Sequence, residues 1–520
     1  MPKPFYITTA IDYTNGAPHI GHAYEKVLAD VIARDHRLKG EPVYFLTGVD
    51  QHGQKVQQSA EKVGVAPQEF VDEITAKFIA LWEKLEVRYD GWAATTDPLH
   101  KRCVQGMLQR LYDEGEIYKD KQEGYYSIRQ EQFLTDKERG PDGEFGPEWG
   151  EVEHRTEENY YFRLAQHKDW LLGYLRSHHD CVTPDFRQTE LINAVEKLSG
   201  DLCISRPKSR LSWGIELPFD HDYVNFVWFD ALTNYISFIG YDAVQGTFAA
   251  QPNEFRDKWP ALHIIGKDIL IPAHGIYWPI MLHALGFPDE QMPKFLVHGW
   301  WNNSGTKMSK SLGNVVDPIA LVEKYGPEAL RYYLMSDIVT GKDSDFSEDR
   351  LVSRFNSELA NSLGNLLNRT LSMTQRYRAG KLSGRGAGTI VHLPSYQSEM
   401  ASSPAAALEL VNSYVTEWNQ EIDMKKPWAL AKDESAAGEL DALLYRLAEG
   451  LRIIAILISP VLPKAAHGIF DQLNWKLKLS GQENRFSLAE AEWGILPDGH
   501  VVGIPVPLFP RIESKAEPAA

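Results

Sequence analysis

Two short runs carry the side chains best suited to chemistry on a phosphate: HIGH at His19–His22 and KMSKS at Lys307–Ser311. Backbone N–H groups at a helix start, joined by imidazole donors, can bind the negative oxygens of a triphosphate. His19 and His22 stand at i and i+3 around Gly21, so one helical turn would carry both rings to the same side, with the glycine leaving room for ATP against the backbone. Lys307 and Lys310 lie between Gly305 and Gly313. That setting predicts a mobile loop whose ammonium groups neutralise charge during an in-line displacement and withdraw with pyrophosphate. On spacing alone each run also has a plainer reading: two ordinary histidines at a helix start, and a pair of solvated lysines.

These residues need a scaffold. FYITTAI predicts a buried strand, a helix follows from about His22 to Lys39, and PVYFLTGVD predicts a second strand ending in the carboxylate of Asp50. Strand, loop, helix, strand opens an α/β unit with a parallel sheet, which gathers its polar site residues at the strand ends. From residue 115 to about 207 the chain turns aromatic, charged and glycine-rich with no long periodic pattern, as expected of an inserted module. NFVWFDALTNY, HIIGKD and KFLVHGWWNN then resume the first fold. From about Asp349 apolar residues recur at three- and four-residue spacing, predicting a helical bundle with a loop between Arg376 and Pro404, a helix end at Pro460 and Pro463, and a frayed tail after Ile512. The expected divisions are 1–114 and 211–290 for the two halves of the first domain, 115–210 for the insertion, 291–348 for the segment with KMSKS, 349–512 for the bundle and 513–520 for a flexible tail.

Composition sets limits on this reading. A chain of 520 residues needs more than one ordinary core, and 43% apolar with 24% charged residues is the balance of a folded protein. The net charge of -17 excludes a surface that is nucleic-acid-binding throughout, though not local basic patches. Cys103, Cys181 and Cys203 form no CxxC pair, which fits a reducing compartment and offers no cysteine-based metal knuckle. The start lacks the pattern of a signal peptide and no run of 18 apolar residues occurs, so the expectation is a cytoplasmic protein with no membrane partner.

In this order and this far apart, HIGH and KMSKS resemble the paired motifs of the class I aminoacyl-tRNA synthetases. FYITTAIDYTNGAPHIGHAYEKVLADVIAR, FLTGVDQHGQKVQQSA, NFVWFDALTNY, HIIGKD and YGPEALRYYLM are similar to the methionyl branch of that family, and the resemblance spans nearly the whole chain. It implies an α/β, Rossmann-like parallel-sheet catalytic domain split by a connective insertion, a stem-contact segment bearing KMSKS, and an all-α anticodon-binding bundle. The implied activity is formation of methionyl-adenylate from methionine and ATP with Mg2+, then transfer to tRNA(Met), elongator and initiator.

The same resemblance implies residue roles. His19, His22, Lys307 and Lys310 would stabilise charge, joined at ATP by Gly21, Gly266 and Asp268, with Asp268 at the ribose. Ala10, Ile11, Tyr13, Asp50, Trp228, Ala231, Leu232, Tyr235 and His274 would bind methionine, with Asp50 taking the α-ammonium; an unbranched thioether calls for such an apolar, aromatic-lined, shape-selective site. Read without the resemblance, Trp228 and Tyr235 are core aromatics and Asp268 a helix cap. KDILIPAHG carries one residue more before His274 than the family pattern. Asn365, Arg369 and Trp428 resemble the readers of the anticodon; otherwise Asn365 is a helix-surface residue and Trp428 a packing anchor. Ser127 and Gln130 stand where zinc-bearing relatives have cysteines, so no structural zinc is expected and packing must hold the insertion together. The chain ends without the appendage that dimerises some members, which predicts a monomer. A synthetase for another amino acid and a non-catalytic RNA-binding relative are the competing readings. The first would ordinarily need a larger editing insertion, because a methylene gives only ~1–3 kcal/mol of discrimination.

Overall fold

The protein is described from a computed structural model, covering residues 2–128, 132–134, 136–140, 142–226, 228–303, 305–308, 314–386, 388, 393–475 and 486–513. Its centre is a seven-stranded sheet in the order Gly91–Ala94, Val43–Asp50, Phe5–Thr9, Ala261–Gly266, Lys294–His298, Val182–Thr183, with Asp12–Tyr13 also paired to Val43–Asp50 on the edge that carries Phe5–Thr9. All of these pairings are parallel. Runs such as FYITT and ALHIIG suit this sheet because β-branched and aromatic side chains fill both covered faces. From the first strand the chain goes to Val43–Asp50 on one side and, much later, to Ala261–Gly266 on the other. The loops leaving the central strands therefore diverge, and a crevice opens at their carboxyl ends.

One face of the sheet packs the helices Ile20–Leu38 and Pro67–Lys84, and this core continues through Pro327–Ser336 into the helical bundle. The other face packs Pro98–Asp113, Trp228–Ser237 and Trp278–Ala284. Arg331, fully buried, joins the parallel-sheet domain and the bundle. Its guanidinium pairs with Asp30 at 2.8 Å and donates to the carbonyls of Leu85, Pro460 and Val461.

The region read as an insertion holds a four-stranded antiparallel sheet. Ile117–Ser127 pairs along its whole length with Val152–Phe162. Polar and charged residues on both faces, as in YKDKQEG, hide the two-residue period that would have announced these strands. At the far end the Arg139 guanidinium lies 4.8 Å from the Tyr125 ring and 4.3 Å from that of Phe145, and Arg210 lies 4.4 Å from Tyr126. Within the same stretch, Val182–Thr183 leaves the insertion and becomes the outer strand of the parallel sheet.

The bundle contains Gly364–Arg378, Pro404–Lys425, Ala437–Ile458 and Pro463–Gln472. The loop expected between Arg376 and Pro404 is in part a helix, Leu393–Ser402. Only Tyr396 and Met400, one turn apart, are buried in it, and its serines masked that pattern; Tyr396 Oη donates to the Leu457 carbonyl. Residues 486–513 return over the bundle as an irregular strap. Buried Glu449, paired with Arg452, accepts from the N–H groups of Gly494, Ile495 and Leu496 and fixes the strap in place. The expected tail falls mostly at 514–520, outside the described residues.

Candidate active site

HIGH is the hinge between the first strand and the helix Ile20–Leu38, which begins two residues earlier than predicted because His19 caps it. His19 Nδ1 accepts from Gly21 N–H at 3.1 Å, and His22 Nδ1 accepts from His19 N–H at 3.0 Å, a capping box built from imidazoles. Two accepting Nδ1 atoms fix both rings, 3.8 Å apart at their centroids, in the tautomer that carries its proton on Nε2. A Cβ on Gly21 would lie 2.9 Å from His19 Cε1, so the room the glycine leaves is used by the His19 ring rather than left open to a ligand.

His19, Gly21, His22, Gly266 and Asp268 all line one cavity of about 340 Å³ in the crevice. Met308 lines it too, whereas the Lys307 side chain and Lys310 lie outside the described residues. The Lys307 backbone is described: Thr306–Lys307 pairs with Trp301–Asn303. Asp12, Glu25, His298 and Trp301 also line it and were missed by sequence reasoning. Glu25 had a signal: HAYEKVLAD sets two adjacent charges in a helix that is otherwise buried all round.

A second cavity, about 500 Å³, abuts the first and is lined by all nine residues expected at methionine. Ala10, Ile11, Tyr13 and Ile269 border both cavities. The first strand breaks after Thr9 and resumes as Asp12–Tyr13, so Ala10 and Ile11 leave the ladder where the cavities meet. Trp228, Ala231, Leu232 and Tyr235 come from a single helix, Trp228–Ser237, spaced to share a face. His274 sits in the irregular helical stretch Leu270–Tyr277, in which Ile271 is non-helical.

Asp50 ends its strand 7% exposed, reached by His52 N–H at 3.4 Å and Thr95 Oγ1 at 3.5 Å. Burial, and after it the charge of Asp230, push its carboxyl well above the usual range. Asp230 is itself buried, yet His52 at 2.6 Å and His100 at 2.8 Å draw it down to about 2. His52 and Asp230 were not singled out in the sequence. Nor were Lys55, Cys203, Arg206, Phe226 and Tyr277, which complete this cavity from segments far apart in the chain.

In the bundle, Asn365 and Arg369 lie one turn apart on Gly364–Arg378 and both reach Asn419 Oδ1 at 3.5 Å; Arg369 also pairs with Asp423. The helix bearing Asn419 and Asp423 ends at Lys426, whose φ of 47° turns the chain into Pro427–Leu430. Trp428 on that turn is 46% exposed rather than packed away. In the insertion, Ser127 Oγ donates to the Trp149 carbonyl, and Gln130 lies outside the described residues. Among the described residues no helix is long and apolar enough to cross a membrane.

The family model of class I tRNA synthetases (M) matches residues 5–142 and 149–371. The methionine–tRNA ligase of Deinococcus radiodurans is 41% identical, over 99% of this chain and 75% of that protein. That of Caldanaerobacter subterraneus subsp. tengcongensis is also 41% identical, over 100% and 81%. Among solved structures, Mycobacterium tuberculosis methionyl-tRNA synthetase in complex with methionyl-adenylate is similar with a TM-score of 0.88 at 36% identity, covering 98% of this chain and 100% of that one.

Proposed function

The chain belongs to the methionine-type class I tRNA synthetases, and from that premise we infer that it activates methionine with ATP and esterifies the methionyl group to tRNA(Met). The observation that carries this reading is the pair of abutting cavities. One is apolar and aromatic with a single buried carboxylate, the other is built on a helix start with two imidazoles, and they share the wall of Ala10 and Ile11.

The α-ammonium of methionine pairs with Asp50 and the thioether lies among Trp228, Leu232, Tyr235 and His274. The carboxylate then faces the nucleotide cavity across Ala10 and Ile11. There one of its oxygens attacks the α-phosphorus of ATP in line, a P–O bond forms, and the bond to the β-phosphate breaks to release pyrophosphate. His19 and His22 donate from Nε2–H to the phosphate oxygens, and Lys307 and Lys310 offset the charge on the departing group. Asp268 accepts from the ribose beside Gly266. Mg2+ arrives with ATP as part of the substrate, held largely by phosphates and water. In the second step a hydroxyl of the terminal adenosine of the tRNA attacks the methionyl carbonyl and AMP leaves. No residue of the chain serves as a covalent nucleophile.

Asn365, Arg369 and Trp428 are proposed to read unstacked anticodon bases, Trp428 by stacking and the other two by hydrogen bonds. Elongator and initiator tRNA(Met) share that anticodon and are both proposed as substrates. An insertion without zinc is supported by the long hairpin and by the arginines stacked on its aromatic rings. Three cysteines without a disulfide suit a reducing compartment, and the cytoplasm is the proposed place of work.

The test is ATP–pyrophosphate exchange with each of the twenty amino acids, with metal analysis on the same sample. Exchange with methionine alone and no zinc is the expected result. Exchange with a different amino acid would overturn the substrate, and none at all would favour a binding-only relative.

A further inference from the structure

The wall shared by the two cavities is a flaw in a strand, and its Ala10 carbonyl is held by the Thr9 hydroxyl at 3.0 Å and by a buried ammonium. Ala10 and Ile11 have left the ladder, so the Ala10 carbonyl lacks its sheet partner. Lys26, on the helix that begins at HIGH, has a side chain with no exposure at all. Its Nζ donates to Ala10 O at 2.8 Å, to Asp12 Oδ1 at 2.9 Å and to Glu25 Oε1 at 2.9 Å. An ammonium has three protons, so these acceptors saturate it and none is left for a substrate.

Each acceptor belongs to a different part of the site. Ala10 borders both cavities, Asp12 begins the resumed strand, and Glu25 lies one turn beyond His22 on the nucleotide wall. The second oxygen of Glu25 meets His298 Nε2 at 3.1 Å, which extends the tie to the end of Lys294–His298. Burial pushes the Lys26 pKa down, but the charges of Asp12 and Glu25 outweigh it and hold it above the ordinary lysine value. An ion pair in a core is seldom there for stability, since apolar replacements of similar volume are often neutral or stabilising.

We propose that Lys26 is a positioning residue for adenylate formation: by fixing the Ala10 carbonyl against Asp12 and Glu25, it sets the angle at which the methionine carboxylate meets the α-phosphate. The inference rests on the adenylation reading and names a residue that touches neither substrate. Its signature is a loss in the chemical step with binding preserved, because a displacement of about 1 Å in such a geometry costs on the order of 10²-fold in rate.

The experiment compares wild type, Lys26→Met and the double variant Lys26→Met/Asp12→Ala in the full chain. Methionine-dependent exchange gives kcat and both KM values, and thermal unfolding gives Tm. Wild type that exchanges no amino acid would sink the adenylation reading itself, independently of Lys26. With wild type active, Lys26→Met is expected to lower Tm by taking the ammonium from Asp12, Glu25 and the Ala10 carbonyl. The double variant should recover part of the lost Tm while kcat stays about 10²-fold down, with KM for methionine within about threefold of wild type. Recovery of kcat together with Tm would make Lys26 a mere counter-charge and overturn the proposal. So would a loss carried wholly by either KM, or a double variant that does not fold.

Discussion

Tyr235 Oη donates to His274 Nε2 at 2.7 Å in the wall of the amino-acid cavity. The assignment follows from the other ring nitrogen: Nδ1 lies 2.9 Å from the Ile269 carbonyl, which can only accept, so Nδ1 carries the proton and Nε2 receives the tyrosine hydroxyl. Burial drives the His274 pKa down to about 4, and the cavity presents a neutral polar pair to its ligand. A thioether is a weak acceptor that gains little from a charge, and a neutral wall suits it.

The pH dependence of stability follows from that pair. His274 titrates at about 4 when folded and near its ordinary value of 6.5 when unfolded. Between those values the unfolded chain binds more protons, so the contribution is fully present above pH 6.5 and is lost as pH falls towards 4, by up to about 3 kcal/mol. Thermal unfolding of wild type and His274→Asn from pH 7 to 4 should show the wild-type advantage shrinking with acidification. A gap that is constant with pH would rule out a neutral buried imidazole.

Asp50 predicts a proton count. Its carboxyl is held well above the usual range by burial and by Asp230, and an ammonium placed against it would bring it back down. Methionine binding should therefore release protons over the pH range in which Asp50 titrates. Calorimetry in buffers of different ionisation enthalpy measures this, and Asp50→Asn should abolish the release while weakening methionine by about 10- to 10²-fold.

The imidazole capping box separates stability from catalysis at His19. Asparagine is a good N-cap and can replace the acceptor that His19 Nδ1 offers to Gly21, yet it has no Nε2–H at the reach of the ring. His19→Asn should keep Tm within a few degrees while the exchange rate falls about 10²–10³-fold, the size expected for one lost oxyanion donor. His19→Ala should lose both.

Arg331 predicts a purely structural defect. Arg331→Met takes one of two arginines from Asp30, which keeps Arg34 at 2.8 Å and the Arg88 N–H, and leaves three carbonyls without that donor in the seam between the parallel-sheet domain and the bundle, a change expected to cost about 1–3 kcal/mol. Denaturant unfolding would measure it, and a loss under 1 kcal/mol would mean that water replaces the guanidinium at that seam.

What was legible in the sequence was what is local. The strands around HIGH, the carboxylate closing PVYFLTGVD and the aromatic face of WFDALTNY are contiguous patterns, and the cavities are lined by the residues those patterns contain. Asp230 and Arg206 were not legible because each owes its meaning to partners brought near only by folding. Leu393–Ser402 was hidden for another reason: a helix with two buried residues gains its stability from its neighbours rather than from its own composition.

The central claim is that two abutting cavities form one adenylation site. The most direct measurement is calorimetric binding of a non-hydrolysable methionyl-adenylate analogue, set against methionine and adenosine measured separately. If Ala10 and Ile11 are a shared wall, the joined ligand should bind at least about 10³-fold tighter than methionine alone, because its second half binds at high effective concentration. An analogue that binds no tighter than methionine, or that does not compete with it, would contradict the account.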